Sequence, residues 1–592
     1  MYGSVSALSE SLVLMELANV TPVCAGVSRL KSGADGGGAD ARPQLSKSVI
    51  AMRAPIARIH TLGIGGRENY RSHQEPDIVE SMFAPSSVVW CRVVLTLVCI
   101  TLASCGRSSQ TAGEKLAQAN CAVCHMFPDP QLLDKKTWVS GVLPQMAPRL
   151  GLPAGSLYEE TSRNPYVTVL SRPVSQTDWQ AIVRFYEERA PVVLSEQSLP
   201  AEPQLDPPFF TTGPFIPGLQ SSAIITLLKA DSVNDRIFVG EAVSNTLRIF
   251  DFNRHLKSTL RLGSAPTDVI SDKDRILVLE SGNLAPNDEP SGSLVAYQLA
   301  GDGSLRRPVT VIDSLFRPVF VERYDFDGDG RPEYVICEFG NNRGRLALYR
   351  AGATGGSRYQ RQVLDASPGA IRFEIRDMTG DGAPDIVALF AQADERIVLF
   401  ENDGAGRFGG RQRVLARFPP VYGSMYFTLA DFNGDGKPDI LYVNGDNFDY
   451  SRVLKPYHGV RILENDGRNN FTERYFFPMY GAAHAIVADF DHDGDPDILV
   501  TSNFADSLRH PERGIVYLEN VGRYEFRPYA FSVAAGSQWN VMASVDINRD
   551  GRPDVLIGAM RLQSITRISE TSSGTGREPA AVLLFENVGA KR

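Results

Sequence analysis

Cysteine, histidine and tryptophan are scarce in this chain of 592 residues, at seven, eight and four copies. Seven cysteines over that length imply no disulfide framework. Cys24, Cys91 and Cys99 lie in or before a leader and Cys105 ends it. Cys121 and Cys124 form a motif, and Cys337 stands alone in a β-prone run as a buried thiol. There is no basic stripe, which argues against a nucleic-acid partner. No Gly-rich cofactor loop and no paired His/acid cluster stands out, so a self-contained catalytic site is not indicated. The apolar run 93–103 is too short for a comfortable membrane-crossing helix.

What the chain does have is patterned acid. Its net charge is −9, and residues 1–104 hold nine Lys/Arg against eight Asp/Glu, so the remainder carries −10. The stretch Asp431-Phe432-Asn433-Gly434-Asp435-Gly436-Lys437-Pro438-Asp439 recurs with near copies beginning at Asp325, Asp377, Asp489 and Asp546, at steps of 52, 54, 58 and 57 residues. Positions 1, 3, 5 and 9 carry oxygen side chains. These are Asp325, Asp327, Asp329 and Glu333, then Asp377, Thr379, Asp381 and Asp385, then Asp431, Asn433, Asp435 and Asp439. The last two copies supply Asp489, Asp491, Asp493 and Asp497, then Asp546, Asn548, Asp550 and Asp554. Position 6 is always glycine and position 8 always proline.

A hard cation such as Ca²⁺ takes six to eight oxygens, and a short loop supplies them if its backbone turns sharply. Glycine at position 6 permits that turn. The carbonyl of position 7 (Arg331, Ala383, Lys437, Asp495, Arg552) can add another oxygen, and the acid at position 9 closes the shell. The plain alternative is an acidic surface turn, against which five copies with one spacing argue. An EF-hand needs a bidentate Glu at position 12 between helices. Here position 12 is Ile336, Ala388, Tyr442, Val500 or Ile557, in β-prone runs, so the loop joins strand to strand. About five Ca²⁺ would nearly cancel the negative charge.

Residues 1–81 show no steady periodicity. Met82, Arg92, the apolar run and Leu102-Ala103-Ser104-Cys105-Gly106 then have the shape of a secretory signal. The last five residues resemble a bacterial lipobox. The resemblance implies cleavage before Cys105, lipid on its sulfur, and a membrane-anchored protein of the cell envelope, on the periplasmic side or the outer surface. Residues 82–105 are then the leader, Met82 the true start and 1–81 a mis-called extension.

Cys121-Ala122-Val123-Cys124-His125 reads as CxxCH. Two thiols three apart can add to the two vinyl groups of one haem, and the adjacent histidine then reaches the iron. Structural zinc would need a second ligand pair, which does not follow. A thioredoxin-like site would need a preceding strand, whereas Thr111-Ala-Gly-Glu114 is a capping box opening a helix over 114–120. Met146, in a proline-flanked loop, is the candidate sixth ligand. His/Met ligation favours electron transfer. A second helix over 178–189 carries Ile182, Phe185 and Tyr186 to cover the haem. Residues 108–190 resemble a small class I cytochrome c, which implies one covalent haem c held by Cys121, Cys124, His125 and Met146.

Residues 191–219 are proline-dense and read as an extended linker. Beyond them, each unit runs strand, acidic turn, strand, variable loop, strand, often ending in Glu-Asn-x-Gly, as at Glu401, Glu464, Glu519 and Glu586. Two earlier units, 224–251 and 267–299, lack the acids. Seven units with periods near 50 predict a radial β-propeller over 220–592. The chain is thus expected to be multidomain, a small all-α cytochrome c domain followed by an all-β seven-bladed β-propeller. The acidic loops resemble the calcium loops of FG-GAP/VCBS repeats in integrin α-subunits, which implies Ca²⁺ in blades three to seven.

Four insertions, 283–293, 447–458, 506–514 and 562–579, fall on the face opposite the acidic turns and carry Tyr450, Arg452, Tyr457, His458, His510 and Arg513. That face is the expected docking site for a redox partner protein or a glycan. The leading expectation is a lipid-anchored electron-transfer or haem-bearing binding protein. An oxidoreductase whose propeller feeds its own haem and an adhesion or polysaccharide-binding module are the alternatives. The first of these resembles quinohaemoproteins, whose blades carry tryptophan docking motifs, but Trp539 is the only tryptophan beyond residue 179.

Overall fold

Thr111 opens the first helix, Ala112–Cys121, by accepting the Glu114 N–H on its hydroxyl at 3.1 Å. That satisfies one of the amides a helix start leaves unpaired. The computed structural model describes residues 110–152, 169, 172–216, 223–300, 304–352, 359–446, 451–560 and 580–589. The leader, Cys105, Tyr450 and the insertion 562–579 lie outside them. Among the described residues no helix is long and apolar enough to cross a membrane.

Short helical turns follow over Pro130–Leu132, Lys135–Thr137, Trp138–Val142, Leu143–Met146 and Pro148–Leu150. Met146 therefore ends a helical turn rather than sitting in a loop. The helix expected over 178–189 is longer, Gln176–Arg189, because Ser175 and not Thr177 caps it, accepting from the Asp178 N–H. Its Ile182, Phe185 and Tyr186 pack on Ala117, Trp138 and Leu143 in one apolar cluster. The Trp138 indole donates to Pro130 O and the Tyr186 hydroxyl to Pro128 O, so both rings are buried without losing a polar partner.

The rest is a seven-bladed β-propeller, seven antiparallel sheets each meandering outward from an inner strand. Blade three is representative: Pro318–Tyr324, Glu333–Glu338, Arg345–Ala351 and Tyr359–Asp365. In blades three to seven every residue of the second strand is buried, as in Asp497–Ser502 and Asp554–Ala559. Both faces of such a strand lie against neighbouring blades, which is why these runs are apolar rather than alternating. The outer strands, such as Gln412–Arg417, face water on one side and alternate. All seven inner strands shift register just after their first residue. One bulge repeated at one place bends each strand alike toward the axis.

The stretch expected to be a linker is built into the ring. Strand β1 (Gln204–Leu205) adds in parallel to the outer edge of blade six. Strand β2 (Phe210–Pro214) pairs antiparallel with Val582–Asn587 and is the fourth strand of blade seven. The propeller is thus closed by chain that precedes its first blade. Phe209 and Phe210 anchor the closure, packing edge-on to Tyr517, Phe490 and Phe585. Before β1, the Gln197 amide donates to the Tyr480 hydroxyl, and Glu196 and Glu202 pair with Arg509 and Arg513.

If β2 belongs to the fold, Phe209→Ala should lower unfolding free energy by about 3–5 kcal/mol, the usual loss for a buried phenylalanine. Leu205→Ala, at a side chain 59% exposed, should stay within about 0.5 kcal/mol. Denaturant midpoints of the two variants against wild type check this.

Candidate functional site

Each acidic turn joins the first strand of a blade to its second, so the five turns share one face of the ring. Within a turn the position 1 carboxylate accepts the N–H of position 6: Gly330, Gly382, Gly436, Gly494 and Gly551 to Asp325, Asp377, Asp431, Asp489 and Asp546, at 2.7–3.1 Å. Those glycines have φ between +80° and +99°. Position 3 (Asp327, Asn433, Asp491, Asn548) accepts from the position 5 amide. Position 5 (Asp329, Asp381, Asp435, Asp493, Asp550) accepts from position 7. Thr379 departs from the pattern: its hydroxyl lies 3.5 Å from Asp377.

Position 4 also lies in the left-handed region, at Gly328, Gly380 and Gly434 but also at His492 and Arg549. The last two carry about 1 kcal/mol of strain each, a requirement the sequence does not flag.

Among the described residues, two turns bring three carboxylates within 4.8 Å of one another: Asp325, Asp327 and Glu333, and Asp489, Asp491 and Asp493. Those are donor sets a hard divalent ion fits. In three turns a cation at position 7 leans on the position 5 acid: Arg331 on Asp329 (2.6 Å), Lys437 on Asp435 (3.4 Å) and Arg552 on Asp550. Such a pair would have to open for Asp329, Asp435 or Asp550 to turn fully to a metal. Ala383 and Asp495 leave their turns without that competitor.

Position 9 is the buried member. Asp385, Asp439, Asp497 and Asp554 are fully buried and Glu333 nearly so. One oxygen of each accepts the N–H of position 2 (Met378, Phe432, Phe490, Ile547, and Phe326 for Glu333) at 3.0–3.3 Å. In the four aspartates the other oxygen accepts the backbone N–H of the asparagine in Glu-Asn-x-Gly, Asn402, Asn465, Asn520 and Asn587, at 2.7–2.9 Å. The same asparagines bond the glycine two residues on (Gly404, Gly467, Gly522, Gly589). Three of them also donate to the proline carbonyl of position 8. Asn587 instead reaches Phe490 O in the turn of blade six (2.7 Å), and Asn469 reaches Met378 O in the turn of blade four (2.7 Å). The sequence displays the recurring Glu-Asn-x-Gly but not this role, because its separation from position 9 varies with the loop between.

Burial pushes the Asp497 carboxyl up to about 7 and Asp554 up to about 6, with amide donors offsetting only part. Asp385, Asp439 and Glu333 are raised for the same reason.

The second candidate site is CxxCH. Cys121 ends the first helix half-buried, Cys124 is exposed, and both are free thiols. Burial pushes the Cys121 thiol up to about 11, against only partial relief from Tyr186. A dithiol exchange site needs the opposite, a depressed pKa, so the thioredoxin-like reading loses support. His125 Nδ1 donates to the Met126 carbonyl at 2.8 Å, and burial pushes its pKa down. A neutral ring with its proton on Nδ1 presents the Nε2 lone pair, the form a metal-binding histidine takes. Met146, like Cys121 and Phe127, is partly buried and packs against the apolar cluster of the helical domain. Two free thiols, a neutral histidine and a thioether fit a covalently held haem.

Of the residues expected on the face opposite the acidic turns, Tyr457 and His458 are buried rather than free. Tyr457 and Val421 pack into the cluster of the helical domain. His510 and Arg513, with Arg509 and the Glu196–Pro203 strap, line a small cavity of about 80 Å³.

Residues 325–388, 377–442 and 443–500 match the model of the FG-GAP-like repeat. No curated protein matches the chain. Solved structures that match include a chain from a Saccharomyces cerevisiae complex of Dbp5 with Nup159, Gle1, IP6 and ADP. That chain is 11% identical with a TM-score of 0.36, over 66% of this chain and 99% of its own. A luciferin-regenerating enzyme matches at 10% identity and a TM-score of 0.32, over 50% of this chain and 88% of its own. The ring thus carries FG-GAP repeats in blades three to six.

Asn520→Ala removes a side chain that satisfies two backbone groups of blade six and should cost about 1–3 kcal/mol, measured as a shift in denaturant midpoint. The raised acids predict a pH effect. A carboxyl whose folded pKa exceeds its unfolded value stabilises most below the unfolded value and loses that contribution as pH rises through the folded one. Metal-free protein should therefore lose melting temperature between about pH 4 and pH 7, and Ca²⁺ should abolish the loss, as scanning calorimetry with and without chelator will show.

Proposed function

We propose that this chain is a c-type haem protein whose calcium-stiffened propeller is its binding module. The observation that carries the reading is the state of CxxCH, with two free thiols and a neutral histidine whose Nδ1 is already engaged. The haem, when bound, supplies a one-electron couple. Cys121 and Cys124 would tether it, His125 would hold the iron through Nε2, and Met146 is the candidate second protein ligand. Trp138, Phe185 and Tyr186 belong to the buried apolar cluster against which Cys121 and Met146 pack.

The propeller supports the binding half of the proposal. FG-GAP repeats in a closed ring make a rigid scaffold that presents loops at both faces. About five Ca²⁺ at the acidic turns would add stiffness by replacing hydrogen bonds within each turn with metal–oxygen bonds. The partner is a redox protein or a glycan engaged by the loops of the opposite face that the helical domain leaves uncovered. The resemblance of residues 102–106 to a lipobox supports a lipid anchor at Cys105 and a position at the membrane surface of the cell envelope. A second reading, a polysaccharide-binding or adhesion module in which haem is secondary, draws on the FG-GAP match itself.

Protein spanning residues 105–592, expressed with the machinery that attaches haem, should show a c-type α-band on reduction. It should also contain about one iron and about five calcium ions per chain by elemental analysis. Absence of the band removes the electron-transfer role. Glycan-array binding that vanishes with chelator, in protein lacking the band, would favour the adhesion reading.

A further inference from the structure

The strap that precedes β1 lies on blades five and six in the way an acidic peptide lies on a binding site. Its residues 196–202 read Glu-Gln-Ser-Leu-Pro-Ala-Glu. Glu196 pairs with Arg509 at 2.7 Å and Glu202 with Arg513 at 2.6 Å. Leu199, midway between them, packs on the apolar cluster that contains Phe477, Met479 and Val516. Both arginines stand in the second-to-third-strand loop of blade six, 506–514, on the face opposite the acidic turns. That loop is stiffened from within. The Asp506 carboxylate accepts from Arg509 Nε and its carbonyl from the His510 amide, each at 2.8 Å, and Pro511–Gly514 form a helical turn.

The strap leaves part of this site unused. A cavity of about 80 Å³ remains beside it, with Leu199, Met479 and Val516 among its apolar walls and Arg509, His510 and Arg513 among its polar ones. That is the room of about two or three waters, or of one small aliphatic side chain. Arg513 Nε is buried and donates to no acceptor, the Glu512 carboxylate lying 3.7 Å away. The carboxylates that the strap supplies are loosely held: the Glu196 and Glu202 side chains are 73% and 80% exposed, and exposed ion pairs contribute little. Other bonds fix the strap's backbone. Gln197 N donates to the Tyr480 hydroxyl, Gln197 Nε2 donates to His458 O at 2.7 Å, and β1 pairs with blade six. Both glutamates can therefore swing out while the strap stays in place.

We propose that this groove docks an acidic segment of a partner protein, whose carboxylates replace Glu196 and Glu202 on Arg509 and Arg513 while an aliphatic side chain between them enters the cavity. The inference rests on the binding half of the function proposed above and is independent of the haem. A protein segment is favoured over a glycan because the chain itself displays the match: a peptide with a leucine three residues from an acid on either side already lies there. Leu508, exposed beside Arg509, adds an apolar rim. Arginines next to an apolar pocket are where protein interfaces concentrate their binding energy. Glu196 and Glu202 then act as built-in competitors, tethered at high local concentration, which keep the arginines from pairing with anions that lack the apolar anchor.

The test uses the full chain and a fluorescein-labelled Glu-Glu-Leu-Glu-Glu peptide, read by polarisation at low salt. Wild type should bind it about tenfold more tightly than a Gln-Gln-Leu-Gln-Gln control, and the difference should shrink as salt is added. Arg509→Gln combined with Arg513→Gln should weaken binding by about tenfold or more, whereas Glu196→Gln combined with Glu202→Gln should strengthen it several-fold. Opposite shifts are the signature, because a strap merely loosened by the loss of its ion pairs would move both double variants the same way. The glutamate variants change only exposed side chains and decide the matter even where the arginine pair fails to fold. Equal affinity for the two peptides, or unchanged or weakened binding in the glutamate pair, overturns the proposal. Polygalacturonate that binds more tightly than the peptide, and is lost in the arginine pair, overturns the protein assignment in favour of an acidic glycan. Absence of peptide binding with glycan-array binding intact overturns this inference alone, and absence of both overturns the binding role with it.

Discussion

The propeller depends on a carboxylate buried at the base of each acidic turn. Moving such a group out of water costs several kcal/mol, and each hydrogen bond to a charged acceptor returns about 1.5–3 kcal/mol. Asp497 collects three donors, Phe490 N, Asn520 N and the Tyr517 hydroxyl. One oxygen orders the turn and the other fixes the end of the third strand, so neither can move alone. Asparagines of blades five and seven then reach into the turns of blades four and six. The turns of blades four and six are thereby each tied to the following blade.

The turns were readable from sequence because their determinants are local. Nine residues hold the oxygens, the glycine and the proline, and the strand-to-strand setting follows from the apolar residue at position 12. The blade count followed from the same repeat. The ring closure was not readable. Phe210–Pro214 contains glycine and proline, looks like linker, and pairs with a strand more than 360 residues away. Position 4 was missed because three of its five residues are glycine, which enters the left-handed region freely, whereas His492 and Arg549 show that the conformation is required there too. The helix caps were placed within two residues, as local signals allow.

The relation of the two domains could not be read from sequence at all. Nothing in the spacing of Val421 or Tyr457 distinguishes them from ordinary loop residues, and burial against another domain is visible only in three dimensions. In the insertion of blade five, expected to be free for a partner, Tyr457 and His458 are buried, Tyr457 against the chain's own helical domain. Arg452 and Val453 of the same insertion are exposed. Val123 and Cys124, both exposed, mark the edge of the CxxCH segment that stays in contact with solvent.

The origin of β2 has a consequence for biogenesis. The first and last strands of blade seven leave the ribosome at opposite ends of the ring's synthesis, so a nascent chain carries every earlier blade before the final one can be completed. Until Val582–Asn587 emerges, Phe210–Pro214 has no strand to pair with. Long-range pairing of this kind is slow to form, so the closing contact of the ring is among the last it makes.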